Sequence, residues 1–231
     1  LGSEAIQYLS PILPSIVELN LSNTKLNNSS MDSLTACFKK FDMNLQKLNI
    51  SNNKITSEGF FKLMVCLKTN NNVIDLNISK NLIANDLKYF DNLKVLKWKQ
   101  KLEKLDLGFC NIREKASYLI GKGLRGNRNL QTLILKGNFC IKTGLSEIVK
   151  SFLSNTLSLC IKELDLSKNQ IESEDITDNF LEMISSEFCT LKVLNLRDNF
   201  IKNIAAEEIR NALKVNRTII KLQMEMNPIK E

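Results

Sequence analysis

The feature that most constrains this chain is a ruler in its leucines. The pattern L-x-x-L-x-L-x-x-N-x-L runs first from Ile16 through Leu19, Leu21 and Thr24 to Leu26, and returns at 45–55, 73–83, 102–112, 130–140, 161–171, 191–201 and 219–229. Its ninth position is Thr24, Asn53, Asn81, Cys110, Asn138, Asn169, Asn199 and Asn227, at gaps of 29, 28, 29, 28, 31, 30 and 28 residues. Eight copies so evenly spaced define a repeat architecture before any single motif is considered.

Each copy opens with leucines two apart, which place alternate side chains on one face of a strand. A gap near 28 residues leaves room for a full helix after it, and the helices carry a four-residue step: Ile55, Gly59, Leu63, Leu67 in the second copy and Ile201, Ala205, Ile209, Leu213 in the seventh. A small residue (Gly59, Ala116, Gly144 or Ala205) stands at the second step, where the helix is expected to cross close to the strand layer. One copy cannot bury its own apolar stripe, so stacking is compulsory. The predicted fold is α/β: a curved solenoid of about eight repeats, with a parallel inner β-sheet and outer helices. The ninth-position Asn is expected to hydrogen-bond the backbone of the neighbouring turn, forming a ladder that Thr24 and Cys110 complete more weakly.

These copies resemble the ribonuclease-inhibitor-like subfamily of leucine-rich repeats across nearly the whole chain. The resemblance implies a horseshoe that holds another macromolecule. Its members include nuclease inhibitors, activators of the Ran GTPase, innate immune sensors and ciliary scaffolds, so the partner has to be sought in this chain's own residues. Residues 1–231 read as a single domain cut from a longer array. Leu1-Gly2-Ser3 fits an expression-tag remnant, while Leu1, Ala5, Leu9 and Leu13 also fit the helix of a preceding copy.

On the concave side, the central column runs Asn20, Asn49, Asn77, Asp106, Ile134, Asp165, Asn195, Gln223, and the next runs Ser22, Ser51, Ser79, Gly108, Lys136, Ser167, Arg197, Glu225. The first three copies are small and polar there. From the fourth copy the lining changes, and Asp106, Phe109, Ile134, Lys136, Lys168, Val193, Arg197 and Met226 are the candidate partner-binding residues, because exposed aromatic, aliphatic and Arg side chains anchor interfaces. The competing account is that several are strand formers or are covered by an adjacent turn.

Charge is uneven. Residues 88–128 hold eleven bases against four acids, which is the whole net charge of +7. Lys94, Lys97, Lys99, Lys101, Arg113, Arg125 and Arg128 form a candidate basic patch for an acidic tail, a nucleic-acid backbone or an anionic membrane surface, with Tyr89 and Trp98 among them; a solvated helical face explains the stretch equally well. No nucleic-acid-binding module accompanies it. Glu172, Glu174 and Asp175 read as favourable charges at the start of a helix. The third copy lacks the small residue, and Leu87, Phe90, Leu93 and Leu96 repeat every three residues, which predicts a shortened or distorted helix.

The chain contains no histidine, which removes the commonest general base, and it has no phosphate-cradling G-x-x-x-x-G-K-[ST] sequence. No cofactor or metal is expected, and the chain is read as a non-catalytic scaffold that binds another protein. Two alternatives remain: an activator resembling that of the Ran GTPase, using Arg113 or Arg197, and an electrostatic binder acting through 88–128. The apolar runs are too short to span a membrane. Six cysteines with no C-x-x-C pair fit a reduced, intracellular and cytoplasmic protein. The heavy use of Lys, Asn and Ile, as in a genome rich in A and T, adds a cilium or the cytoskeleton as a candidate location.

Overall fold

The computed structural model describes residues 3–41, 43–69, 72–92, 101–153 and 160–230. Eight three-residue strands form one parallel sheet in chain order: β1 Glu18–Asn20, β2 Lys47–Asn49, β3 Asp75–Asn77, β4 Lys104–Asp106, β5 Thr132–Ile134, β6 Glu163–Asp165, β7 Val193–Asn195 and β8 Lys221–Gln223. The register never slips. Leu19, Leu48, Leu76, Leu105, Leu133, Leu164, Leu194 and Leu222 face one another in sequence across all seven pairings. The leucines from copy one to copy seven are buried, and each contributes ~1.5 to 3 kcal/mol.

Behind the sheet lie α1 Ser3–Leu9, α2 Asn28–Lys40, α3 Ser57–Thr69, α4 Glu114–Leu124, α5 Lys142–Leu153, α6 Asp178–Ser185 and α7 Asn203–Leu213. Strands pack at about 4.8 Å and helices at about 8–10 Å, so an array with one helix per strand must bend with its sheet inside.

The asparagine ladder is present, and each amide reaches back to the preceding copy. Asn138 accepts at Oδ1 from the backbone N–H of Cys110 and Ile112, both at 3.0 Å, and donates from Nδ2 to the carbonyls of Leu107 and Leu135 at 2.9 Å. Asn53 and Asn199 repeat this arrangement. Where the amide is missing, Thr24 donates to the Leu21 carbonyl at 2.6 Å, and Cys110 offers only its thiol to the carbonyls of Ile78 and Gly108 at 3.5 Å. These amides satisfy backbone groups that the sharp turn leaves without strand partners.

The two glycines among the small helical residues face more than the strand layer expected of them. A Cβ on Gly59 would meet Asn28 Oδ1 at 2.7 Å and Met31 Cγ at 3.1 Å, and one on Gly144 would meet Ser117 Oγ at 1.9 Å and the Glu114 carbonyl at 2.7 Å. Both make room for the preceding helix, and Gly59 also for Ile55 of its own copy, whose Cγ2 would lie 2.8 Å from an added Cβ. On α4, Gly121 faces the backbone of the following helix, where an added Cβ would fall 2.6 Å from Glu147 C and Ile148 N. The α4–α5 contact is therefore sealed by glycine from both sides, and the buried Glu147 closes it with an ion pair to Arg125 at 2.5 Å.

The acidic run is also corrected. Glu172 precedes a 3-10 turn at Ser173–Asp175, and α6 begins only at Asp178. Asp175 is buried and accepts from the backbone N–H of Lys142 at 2.7 Å and of Glu172 at 2.9 Å, so it caps the start of α5 in the preceding copy. In the third copy, residues 90–92 form a 3-10 turn, as its three-residue step suggests; Leu93, Leu96 and Trp98 lie outside the described residues.

Candidate binding surface

Six of the eight central-column residues serve the turn that follows them. Asn20, Asn49, Asn77, Asp106, Asp165 and Asn195 each accept, through Oδ1, the backbone N–H two residues on, at 2.8 to 3.1 Å. Their small polar character thus has a local cause. Asp106 keeps one oxygen for this bond; burial, and more weakly the charge of Asp165, push its carboxyl above the ordinary range, although the bond itself favours the ionised form. Ile134 stands between the two acids in register.

The column that opens each strand was overlooked in the sequence. In copies one to four it alternates in sign, Glu18, Lys47, Asp75, Lys104, and the register sets these side by side. Lys47 pairs with Glu18, and Lys104 with Asp75 at 3.5 Å. These residues line a shallow hollow of about 480 Å³ with Asn20, Asn49 and Asn77. Its charges cancel internally. From copy five the column reads Thr132, Glu163, Val193, Lys221, with no such pairing among the described residues.

Phe109, Lys168 and Met226 do not lie within the strands as the concave grouping implies. They belong to an eighth-position column that turns the chain out of the sheet: Asn23, Asn52, Lys80, Phe109, Gly137, Lys168, Asp198 and Met226 all have φ between 55° and 67°. Gly, Asn and Asp suit this left-handed backbone, whereas other residues lose about 1–2 kcal/mol there. Phe109 nevertheless occupies it with 43% of its surface exposed, and Met226 with 63%. The Phe109 ring lies against Gly137, where an added Cβ would fall 2.2 Å from Cε1. Lys168 is paired with Asp198 at 2.7 Å, and Arg197 Nη2 lies 3.5 Å from Met226 Sδ.

Of the eight candidate binding residues, Asp106, Ile134 and Val193 are on strands, Lys136 and Arg197 stand two residues past them, and Phe109, Lys168 and Met226 form the turn edge. The tenth position adds a neighbouring column that sequence reasoning missed, with Leu82 and Phe200 exposed and Phe139 half-buried. Lining up the tenth residues of the copies would have revealed it.

Among the described residues, the members of the basic stretch do not sit together. Lys94, Lys97 and Lys99 lie outside the described residues, and Lys101 precedes β4. Arg113 is the N-cap of α4 with its guanidinium 5.5 Å from the Phe139 ring centroid, and Arg125 is the C-cap of the same helix. At 1.5 Å per residue those two ends are about 18 Å apart, and Arg125 is engaged by Glu147. Arg128 follows on the exposed loop to β5.

No disulfide joins the six cysteines. Burial pushes the Cys110 and Cys140 thiols up to about 12, which makes them inert core residues. Among the described residues no His, Cys, Asp or Glu group could hold a metal, and no helix is long and apolar enough to cross a membrane.

The Leucine Rich repeat family profile matches residues 41–64, 99–115 and 158–178. No curated protein matches the chain. Among solved structures, it is similar to leiomodin-1 actin-binding site 2, with 19% identity and a TM-score of 0.49 over 66% of this chain and 87% of that one. It is also similar to the LRIM1 leucine-rich repeat domain, at 14% identity and TM-score 0.45 over 99% of this chain and 74% of that one. A further similarity is to an LRR protein of Leptospira interrogans, at 15% identity and TM-score 0.36 over 100% and 77%. With its leucine register and its asparagine ladder, the chain folds as an open α/β leucine-rich repeat solenoid of eight strands, and the Leucine Rich repeat profile matches part of it.

Proposed function

We propose that this chain is a non-catalytic scaffold that binds another protein through the sheet and turn edge of copies four to eight. One observation carries the reading. Phe109 exposes an aromatic ring from a backbone position where Asn would be both more soluble and less strained. Ile134, Val193, Lys136, Arg197 and Met226 extend the same face with residues of the kind that anchor interfaces. The helix-per-copy spacing of 28 to 31 residues supports the ribonuclease-inhibitor-like subfamily, and the cysteines, joined by no disulfide, support an intracellular, cytoplasmic location.

The test is affinity capture from native lysate with the chain and with a Phe109→Asp, Arg197→Glu double variant. A protein retained by the first and lost by the second is the expected partner. Identical captures by both would remove this face as the binding site. Thermal melts separate lost binding from lost folding, because Phe109→Asn should bind less while melting no lower.

A further inference from the structure

The turn edge of copies three to five differs from copies one and two in polarity, through Leu82, Phe109 and Phe139, and from copies six to eight in charge, since those carry Glu172, Asp198 and Glu225 there. At the seventh, eighth, tenth and twelfth positions of these three copies stand Ser79, Lys80, Leu82, Ala84; Gly108, Phe109, Asn111, Arg113; and Lys136, Gly137, Phe139, Ile141. Three bases stand there and no acid. None of Lys80, Arg113 or Lys136 has a carboxylate partner among the described residues. The carboxylates that follow in the chain are already used: Glu114 accepts from Thr143 Oγ1 at 2.7 Å, and Asp86 accepts from the Lys88 backbone N–H at 2.8 Å.

The backbone fixes these residues beside one another. Lys80 donates its N–H to the Gly108 carbonyl at 2.7 Å, and Phe109 donates to the Lys136 carbonyl at 2.8 Å, so the Phe109 turn is tied to both lysine turns. Leu82, 45% exposed, and Phe139 add apolar surface one column out, with Arg113 over the Phe139 ring. Gly137 leaves the space that the Phe109 ring fills. Uncompensated cations set among exposed rings match carboxylates alternating with apolar side chains.

We infer that this edge docks a short, extended, acidic segment of a partner protein, whose carboxylates meet Lys80, Arg113 and Lys136 and whose aromatic or leucine side chains pack on Phe109, Leu82 and Phe139. The inference rests on the protein-binding reading above and adds the partner's chemistry and a second strip of surface. Three copies at the strand spacing of about 4.8 Å span about 10 Å, the length of three extended residues at about 3.3 Å each. A motif of three to five residues, given as a rough length, therefore covers the strip.

Fluorescence anisotropy tests it with a labelled glutamate–tyrosine copolymer, a labelled polyglutamate and a labelled single-stranded RNA. The expected order is copolymer over polyglutamate by about tenfold, with RNA weaker than the copolymer. Arg113→Glu with Lys136→Glu should abolish copolymer binding, and Leu82→Asp should reduce it to the polyglutamate level, each with an unchanged circular dichroism melt. Equal affinity for the two polymers, tighter RNA binding, or retention by the charge-reversed variant overturns the inference. The distinction from the broader reading lies in Arg197→Glu. A native partner lost by Arg197→Glu but kept by Arg113→Glu, Lys136→Glu and Leu82→Asp leaves the scaffold standing and refutes the acidic-segment site; a partner lost by neither refutes both.

Discussion

Copies one to three and copies four to eight share one frame and present different surfaces. In the first group, Asn20, Asn49 and Asn77 bond the turns that follow them, and Glu18, Lys47, Asp75 and the first strand residue of copy four pair in alternation. Asn23 and Asn52 suit the left-handed turn. On the strands that surface is satisfied from within, while at the turn edge copy three already carries Lys80 and the exposed Leu82. In the second group Ile134 and Val193 interrupt the polar columns, Phe109 and Met226 take the strained turn, and Lys136 lacks an ion-pair partner among the described residues. Groups paired inside the molecule are made for water, while exposed apolar and unpaired ones on the same scaffold mark where a partner is accommodated.

Substitutions in the shared frame should not respect this division. Leu48→Asp and Leu133→Asp each place a carboxylate in the buried leucine row, and both should cost about 4 kcal/mol or more, read as loss of the cooperative thermal transition. A large difference between them would mean that the two halves are unequally stable beneath their surfaces.

The helix layer should reveal an asymmetry. Gly121→Ala would press on the backbone of α5, whereas Gly59→Ala meets side chains of Asn28, Ile55 and Met31 that can shift. Gly121→Ala is expected to cost about 2–3 kcal/mol in urea unfolding and Gly59→Ala about 1 kcal/mol. Equal losses would show that the α4–α5 contact is no more rigid than the others.

Copy four can also be made to resemble its neighbours. Cys110→Asn would supply the missing ladder amide and is expected to gain about 1 kcal/mol, because a charge-neutral N–H···O bond replaces weak thiol contacts at 3.5 Å. A loss would show that the pocket is shaped to sulfur.

The smallest effect should come from Asp106→Asn, which keeps the turn acceptor found in Asn20, Asn49, Asn77 and Asn195. Burial raises the Asp106 carboxyl, so the folded state binds its proton more tightly than the unfolded chain does. The penalty of the charged form is therefore present at neutral pH and fades as pH falls through the folded value toward the ordinary one. A small rise in melting temperature at pH 7 that disappears in acid is expected. A fall at pH 7 would mean that the charge itself, by attracting Lys104, is useful there.

The amino-acid sequence by itself determined the solenoid. Leucines at a fixed period must share one buried row, and a ninth-position amide must find backbone groups, so strand number, register and ladder were legible from Leu19 to Leu222. Period also exposed the irregular third copy. Tertiary structure decided what each copy shows its neighbours. Gly59 and Gly144 are written as small residues, but only the stacking reveals that a preceding helix needs the space, and Asp175 reads as an acid at a helix start until it is seen capping α5 of another copy. Phe109 and Ile134 look alike along the chain, yet positive φ carries Phe109 off the sheet to the edge while Ile134 stays between two acids. Among the described residues the basic run is divided for the same reason, since α4 carries Arg113 and Arg125 to opposite ends and Glu147 neutralises Arg125. A repeat fixes which positions are equivalent, because equivalence follows from period alone; contact between copies depends on stacking, which period does not describe.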